Sequence, residues 1–335
     1  MAATYSKIMV LMYIVCASAT CHAQLAGEWM LTINHGVERL GVITFEQVGD
    51  RIEAFVDGGP AEVNLNGNQF EMTVDYRDGG GRYLIRHFTG TLSGDILRGT
   101  LEAIHDGSTG TWSAVRTNPQ QVLNADPIDI SGKWSRISAG MEKVNLDYTS
   151  SAQTLVDNYV FWDDPGLRCI SPGLVRLSGW PYPMEIIQGE DQITILYESF
   201  REVRRIYMDG RDIPQDHPIS AMGYSRGHWE GSTLVVETSL LKPNFVDQAG
   251  QPISDQARVT ERIQMSEDGQ NLRSLLTLDD PLNYKRPIIR FRQWRSTPDA
   301  TMMEYDCDSY PFLRGLQLEG SLNEYLDRVR QSPLR

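Results

Sequence analysis

The chain has 335 residues, 44 Asp and Glu against 31 Lys and Arg, and a formal net charge of −13. So acidic a surface repels phosphate backbones, and with no run of Lys or Arg to offset it locally, nucleic acid is excluded as a partner. The length suffices for two domains of ordinary size, each burying its own core.

Residues 1–23 read as a signal peptide: Lys7 is followed by an apolar run over residues 8–17, and Cys21-His22-Ala23 supplies small residues for cleavage before Gln24. The protein is therefore expected to be exported, to the periplasm or beyond. Lipidation at Cys21 is the weaker alternative, because Thr20 stands where Gly, Ala or Ser is usual. Downstream, no stretch approaches the roughly 18 apolar residues of a membrane helix, so no transmembrane segment is expected. Of four cysteines, Cys16 and Cys21 leave with the signal, and Cys169 and Cys307 remain. An even pair in an oxidising compartment suggests one disulfide, with two buried thiols as the alternative.

Residues 24–116 alternate in short runs such as Val42-Ile43-Thr44-Phe45, separated by Gly and Asp turns including Asp57-Gly58-Gly59, Asn66-Gly67-Asn68, Asp78-Gly79-Gly80-Gly81 and Ser93-Gly94-Asp95. This pattern predicts a meander of about eight strands, which closes most simply into a barrel without free edges. Residues 117–129, with two prolines and no apolar pattern, read as a linker, and 130–335 as a second, elaborated barrel. The second unit echoes the first. Ser131-Gly132-Lys133-Trp134 repeats Ala26-Gly27-Glu28-Trp29, and residues 184–193 and 229–234 run like 43–52 and 92–97.

What is added in the second unit is more telling. Ala152, Leu155, Val156 and Tyr159 fall at i, i+3, i+4 and i+7, predicting an inserted amphipathic helix, followed by a Pro/Gly-rich segment up to Pro183. This insertion is a candidate lid or plug. Ser321 with Glu324 forms a capping box ahead of Leu322, Tyr325, Leu326 and Val329, predicting a C-terminal helix. The expected fold is all-β: two tandem lipocalin-like antiparallel β-barrels, the second with a helical insertion and a C-terminal helix.

Gly27 and Trp29 with Arg116, and Gly132 and Trp134 with Arg295, resemble the lipocalin and calycin signature, which implies an Arg lying across the indole at one end of each barrel. The second unit also resembles an uncharacterised family of exported bacterial proteins. The resemblance runs over 163–316, through Asp164-Pro165 with Cys169, Tyr207-Met208-Asp209-Gly210-Arg211 with His217-Pro218, residues 223–238, Thr260-Glu261-Arg262 and Glu304-Tyr305-Asp306-Cys307. It implies no activity. Asp308 stands where relatives often have His, and His228 where a smaller residue is usual.

Chemistry is sought first in the long connection from Asp209 to Glu230, since a connection of this length in a compact barrel is more often functional than idle. His217 is a candidate acid or base, with Asp209 and Glu237, and His228 beside it. Arg211 or Arg226 would steady an anion. The bland readings are a turn at Asp209-Gly210, an Arg211–carboxylate pair, and a structural His217-Pro218 loop. Glu237 points either into the barrel or out to water. Trp162, Tyr182, Tyr207, Tyr224 and Trp229 are candidates to line a ligand site, unless they are ordinary core. No metal or other cofactor is expected: paired-Cys and His-x-His motifs are missing, and Gly223-Tyr224-Ser225-Arg226-Gly227 lacks the following helix of a nucleophile elbow. Two functions are carried forward. One is binding of a small apolar or amphiphilic molecule in the second barrel. The other is a cofactor-independent lyase, isomerase or hydrolase acting on such a molecule.

Overall fold

The computed structural model describes residues 25–49, 51–77, 83–117, 126–137, 143–144, 146–266 and 268–331. The expected signal peptide, residues 1–23, and most of the expected linker lie outside these residues. The chain forms two compact units.

In the first, β1 (Gly27–His35), β2 (Val37–Val48), β3 (Arg51–Val56), β4 (Gly59–Asn66), β5 (Gln69–Arg77), β6 (Tyr83–Ser93), β7 (Ile96–Ala103) and β8 (Thr109–Arg116) pair in chain order, and β8 closes on β1. Every pairing around this eight-stranded ring is antiparallel. Partners across a ladder share a face, so the register from Trp29 to Ile43 and from Ile33 to Trp112 identifies the inner residues. A train of rings fills the interior: Trp29 meets Phe45 edge-on at 6.2 Å, Phe45 meets Phe70 at 5.9 Å, and Phe70 and Phe88 each meet Trp112, at 5.5 and 5.6 Å. Gly99 is required by close approach, since a Cβ there would fall 1.8 Å from the Thr89 carbonyl oxygen. A groove of about 530 Å³, lined by His87, Thr89, Thr100 and Thr111 among others, runs along this stretch on the outer face.

β9 (Gly132–Arg136) opens the second barrel, but β10 (Lys143–Val144) pairs with β5, so this dipeptide belongs to the first unit. The chain then supplies β11 (Met184–Gln188), β12 (Gln192–Tyr197), β13 (Val203–Tyr207), β14 (Tyr224–Glu230), β15 (Thr233–Ser239), a small hairpin of β16 (Asn244–Phe245) and β17 (Pro252–Ile253), β18 (Arg258–Met265), β19 (Asn271–Asp279) and β20 (Ile288–Ser296). The ring runs β11-β12-β13-β14-β15-β18-β19-β20-β9 and closes. Nine strands cannot close on antiparallel pairings alone, and the odd pairing is the parallel one between β13 and β14. The two rings are thus not strand-for-strand copies.

The insertion contains α1 (Ser150–Asp157) and the short α2 (Gly173–Leu177), every residue of which is buried. Of the apolar face expected on α1, Ala152 is buried while Leu155 stays 41% exposed. Asp164 and Arg176 form a buried two-pronged ion pair, at 2.9 and 2.8 Å, that ties the start of the Pro/Gly-rich segment to α2. The C terminus forms two helices, α3 (Tyr310–Glu319) and α4 (Leu322–Gln331), with Tyr325 packed edge-on against Phe312. The expected disulfide links Cys169 to Cys307, 138 residues apart in sequence. Among the described residues no helix is long and apolar enough to cross a membrane.

Candidate functional site in the second barrel

The residues singled out by the sequence gather mainly outside this barrel. Tyr207 and Tyr224 follow and precede the inward Ile206 and Ser225, so both face outward. Their rings stack at 5.0 Å, Arg211 lies over Tyr207 at 4.4 Å, and His217 meets Tyr224 edge-on at 4.8 Å. Asp209 accepts from Arg211 Nε at 2.9 and 2.8 Å, and these bonds hold its carboxyl below the usual range. His217 Nδ1 lies 2.9 Å from the Pro218 carbonyl oxygen. A carbonyl only accepts, so Nδ1 is the donor in this contact. The length of the 208–223 connection thereby acquires a structural reason: a parallel neighbour needs a crossover of a dozen or more residues to return to its starting end.

The other candidates do not join this cluster. Glu237 is 62% exposed and 3.9 Å from Arg226, so it is turned to water and is no buried acid. His228, 55% exposed, touches Glu230 at 3.4 Å, and Glu230 is bound by Arg262 at 2.6 Å. Tyr182, 39% exposed, packs against Tyr305 and Trp180 near the disulfide-bearing segment, and Trp162 is half-buried. Of the ligand-lining candidates only Trp229 shares the inner face, through its pairing with Leu234. Among the described residues no three His, Cys, Asp or Glu side chains gather as a metal site.

The calycin-like contact is present in the first barrel, where Arg116 lies over Trp29 at 4.5 Å. In the second barrel the register places Ser296, not Arg295, opposite Trp134, and Arg295 opposite Ser135. One residue of slip turns a side chain to the other face, so Arg295 points away from the indole. The cap on the other side is shared: Trp29 Nε1 donates to the Leu25 carbonyl at 2.8 Å and Trp134 Nε1 to the Ile130 carbonyl at 3.1 Å, four residues back in each case.

The unexpected chemistry is inside. The register puts Arg204, Ser225, Thr238, Glu261, Ser274, Arg290 and Arg292 on the inner face, with Arg136 opposite Trp294. Arg204, 1% exposed, pairs with Glu261, 3% exposed, and donates to Ser225 Oγ at 3.1 Å and Thr238 Oγ1 at 2.9 Å. Burial pulls the Arg204 guanidinium down, but Glu261 and then Tyr197 outweigh it, leaving a net upward shift. Burial pushes the Tyr197 phenol up to about 12. Across the barrel Arg136 is pulled down to about 10 by burial. Arg292 falls to about 9, first by burial and then by repulsion from Arg136 and Arg290. Arg136, Arg204 and Arg292 stay charged at neutral pH, whereas the Tyr197 phenol stays neutral.

The insertion covers this group: the Val175 carbonyl, on α2, lies 3.5 Å from Arg292 Nη2. Sequence reasoning missed these residues because the alternation in Ile288–Ser296 fits either face. The signal was Trp294: placing that Trp inward carries Arg292 and Arg290 inward with it.

No family model matches this chain, and no curated protein does. Among solved structures it is similar to a protein of unknown function of the DUF3598 family from Nostoc punctiforme, with 7% identity, a TM-score of 0.25, and 84% of this chain and 99% of that one covered. It is similar to intact Ap-TbpB at 9% identity and TM-score 0.23, over 80% of this chain and 46% of that one. To the dehydratase domain from the CurJ module of curacin polyketide synthase it has 8% identity and TM-score 0.19, over 86% of this chain and 82% of that one. These TM-scores lie well below 0.5, and nothing about function follows from them.

Proposed function

We propose that this is an exported protein whose second barrel binds a small amphiphilic molecule in its interior. The observation that carries the reading is the buried polar network of Arg204, Glu261, Ser225 and Thr238 in a barrel whose neighbour in sequence is filled with aromatic rings. A well-packed apolar core of similar volume is as stable as a buried ion pair or more so, so stability alone gives no reason for charge there. Ligand sites are mostly apolar with a few fixed polar groups, and the inner face offers Ile193, Ile206, Leu234 and Val236 beside that network. The disulfide fits an oxidising compartment. Acid/base catalysis finds less support, because Glu237 and His228 stand apart from His217 and the Asp209 carboxylate is engaged by Arg211.

The test is a thermal-shift screen of steroids, terpenoids and long-chain alcohols and acids. A ligand at a hundredfold excess over its Kd stabilises by about 2.7 kcal/mol, a rise on the order of 5–10 °C for a domain of this size. His217→Ala, on the outer face, is expected to retain the rise, whereas Arg204→Leu with Glu261→Leu loses it. Unchanged melting with every compound sinks the proposal.

A further inference from the structure

We propose that Arg136, Arg290 and Arg292, with Ser274 beside them, form a binding site inside the second barrel for an oxyanion, the carboxylate or phosphate head group of its ligand. This rests on the amphiphile reading and names the chemistry of one end of that molecule.

The three guanidiniums find only neutral acceptors. Arg292 donates to the carbonyls of Phe291 at 3.2 Å and Val175 at 3.5 Å, Arg136 to those of Ile137 at 2.5 Å and Gln293 at 2.8 Å, and Arg290 to the Ile289 carbonyl at 3.1 Å and Gln251 Oε1 at 3.4 Å. The Nε atoms of Arg136 and Arg292 are buried and have no acceptor among the described residues, and the same holds for Ser274 Oγ. Ser274 is 1% exposed and lies directly across the ladder from Arg292, so its hydroxyl and that guanidinium are neighbours on the inner face.

Buried donors are almost always satisfied, and a core built for stability does not collect like charges without a counter-charge. Of the two carboxylates that act on Arg292, Glu261 is taken by Arg204, and Asp247 is partly exposed. A planar oxyanion accepts two parallel N–H bonds from one guanidinium and would satisfy these donors together. The insertion makes room for the arrangement. A Cβ on Gly179 would fall 2.9 Å from Arg292 Nε and 3.0 Å from its Cζ, so the turn after α2 is bare where the guanidinium lies.

The experiment melts the full chain in acetate, inorganic phosphate, decanoate or decanol at matched ionic strength, alongside Arg292→Met, Arg136→Met and Gly179→Ala. Decanoate is expected to raise the Tm of the wild type, with decanol at least tenfold weaker. Arg292→Met is expected to weaken decanoate at least tenfold while melting, without ligand, no lower than the wild type. Gly179→Ala keeps the charge but displaces it, and is expected to weaken decanoate as well, which preserves the test should either Arg variant fold poorly. If decanol matches decanoate, the anion site falls and the amphiphile reading stands. If acetate or phosphate matches decanoate while decanol is silent, the anion site stands and the amphiphile reading falls. An undiminished decanoate response in both Arg292→Met and Gly179→Ala overturns the assignment, and no response to any probe overturns both.

Discussion

The two barrels close in the same way and use their interiors differently. In the first, Trp29, Phe45, Phe70, Phe88 and Trp112 interlock ring against ring, and a single arginine among the described residues, Arg86, shares that inner face. In the second, the equivalent space holds an Arg204–Glu261 pair and three further arginines beneath a buried helical insertion. An even ring whose strands are joined by one to five residues has no segment to spare for a cover. The odd strand number imposes one parallel pair and with it a crossover, and the sequence between β10 and β11 supplies the buried α2. Elaboration and the larger share of internal charge thus occur in the same unit.

Several substitutions break or sharpen that contrast. The largest effect is expected from Cys169→Ser with Cys307→Ser, because loop-entropy models assign a closure of this length about 5 kcal/mol. Only the second unit is expected to lose stability, which calorimetry resolves as one displaced transition; equal displacement of both transitions would contradict two independent units.

Arg204→Met alone leaves the Glu261 carboxylate buried and uncompensated and is expected to cost about 3–5 kcal/mol by denaturant unfolding. Adding Glu261→Leu is expected to recover most of it, giving the second barrel an interior more like the first. Trp112→Ala in the first barrel is expected to cost about 3–5 kcal/mol without any such rescue, since Phe70, Phe88 and the two carbonyls bonded to its indole all lose their partner.

A smaller contrast tests the register difference. Arg116→Ala removes a guanidinium from the face of Trp29 and is expected to cost about 1 kcal/mol, whereas Arg295→Ala, turned away from Trp134, is expected to change the melting point little. The smallest effect concerns pH. Arg262, and then His228, hold Glu230 below its ordinary value of 4.5, so the pair contributes stability that is present above that pH and fades as the pH falls below it. At pH 7 Glu230→Gln is expected to cost no more than about 1 kcal/mol, and at pH 3 the variant and wild type are expected to converge.

Much of the fold was legible in residues 24–116, where Gly and Asp turns punctuate the alternation and leave a meander as the simplest arrangement. The turn at Gly231 was legible by its likeness to that at Gly94, and both adopt the positive φ such turns need, 58° and 59°. The candidate site was far less legible. His217, Asp209 and Arg211 attract notice because polar residues on a long connection usually mean function, yet here the connection serves a parallel crossover. Arg204, Glu261 and Arg292 attract none, because a polar residue in an alternating strand is ordinarily assigned to the solvent face.

Residue order alone was enough for the β class, the division into two units and the hairpin turns, and by counting it narrowed the disulfide to one candidate pair, Cys169 and Cys307. Those follow from local backbone preferences and from the even pair of cysteines beyond residue 23. Only the tertiary structure decided which face of each strand is inside, that Arg295 misses Trp134, and that four arginines line the second interior. The reason is the period of two. Alternation is unchanged when inside and outside are exchanged, so the choice waits for ring closure, for strand number and for the register of each strand against its neighbours.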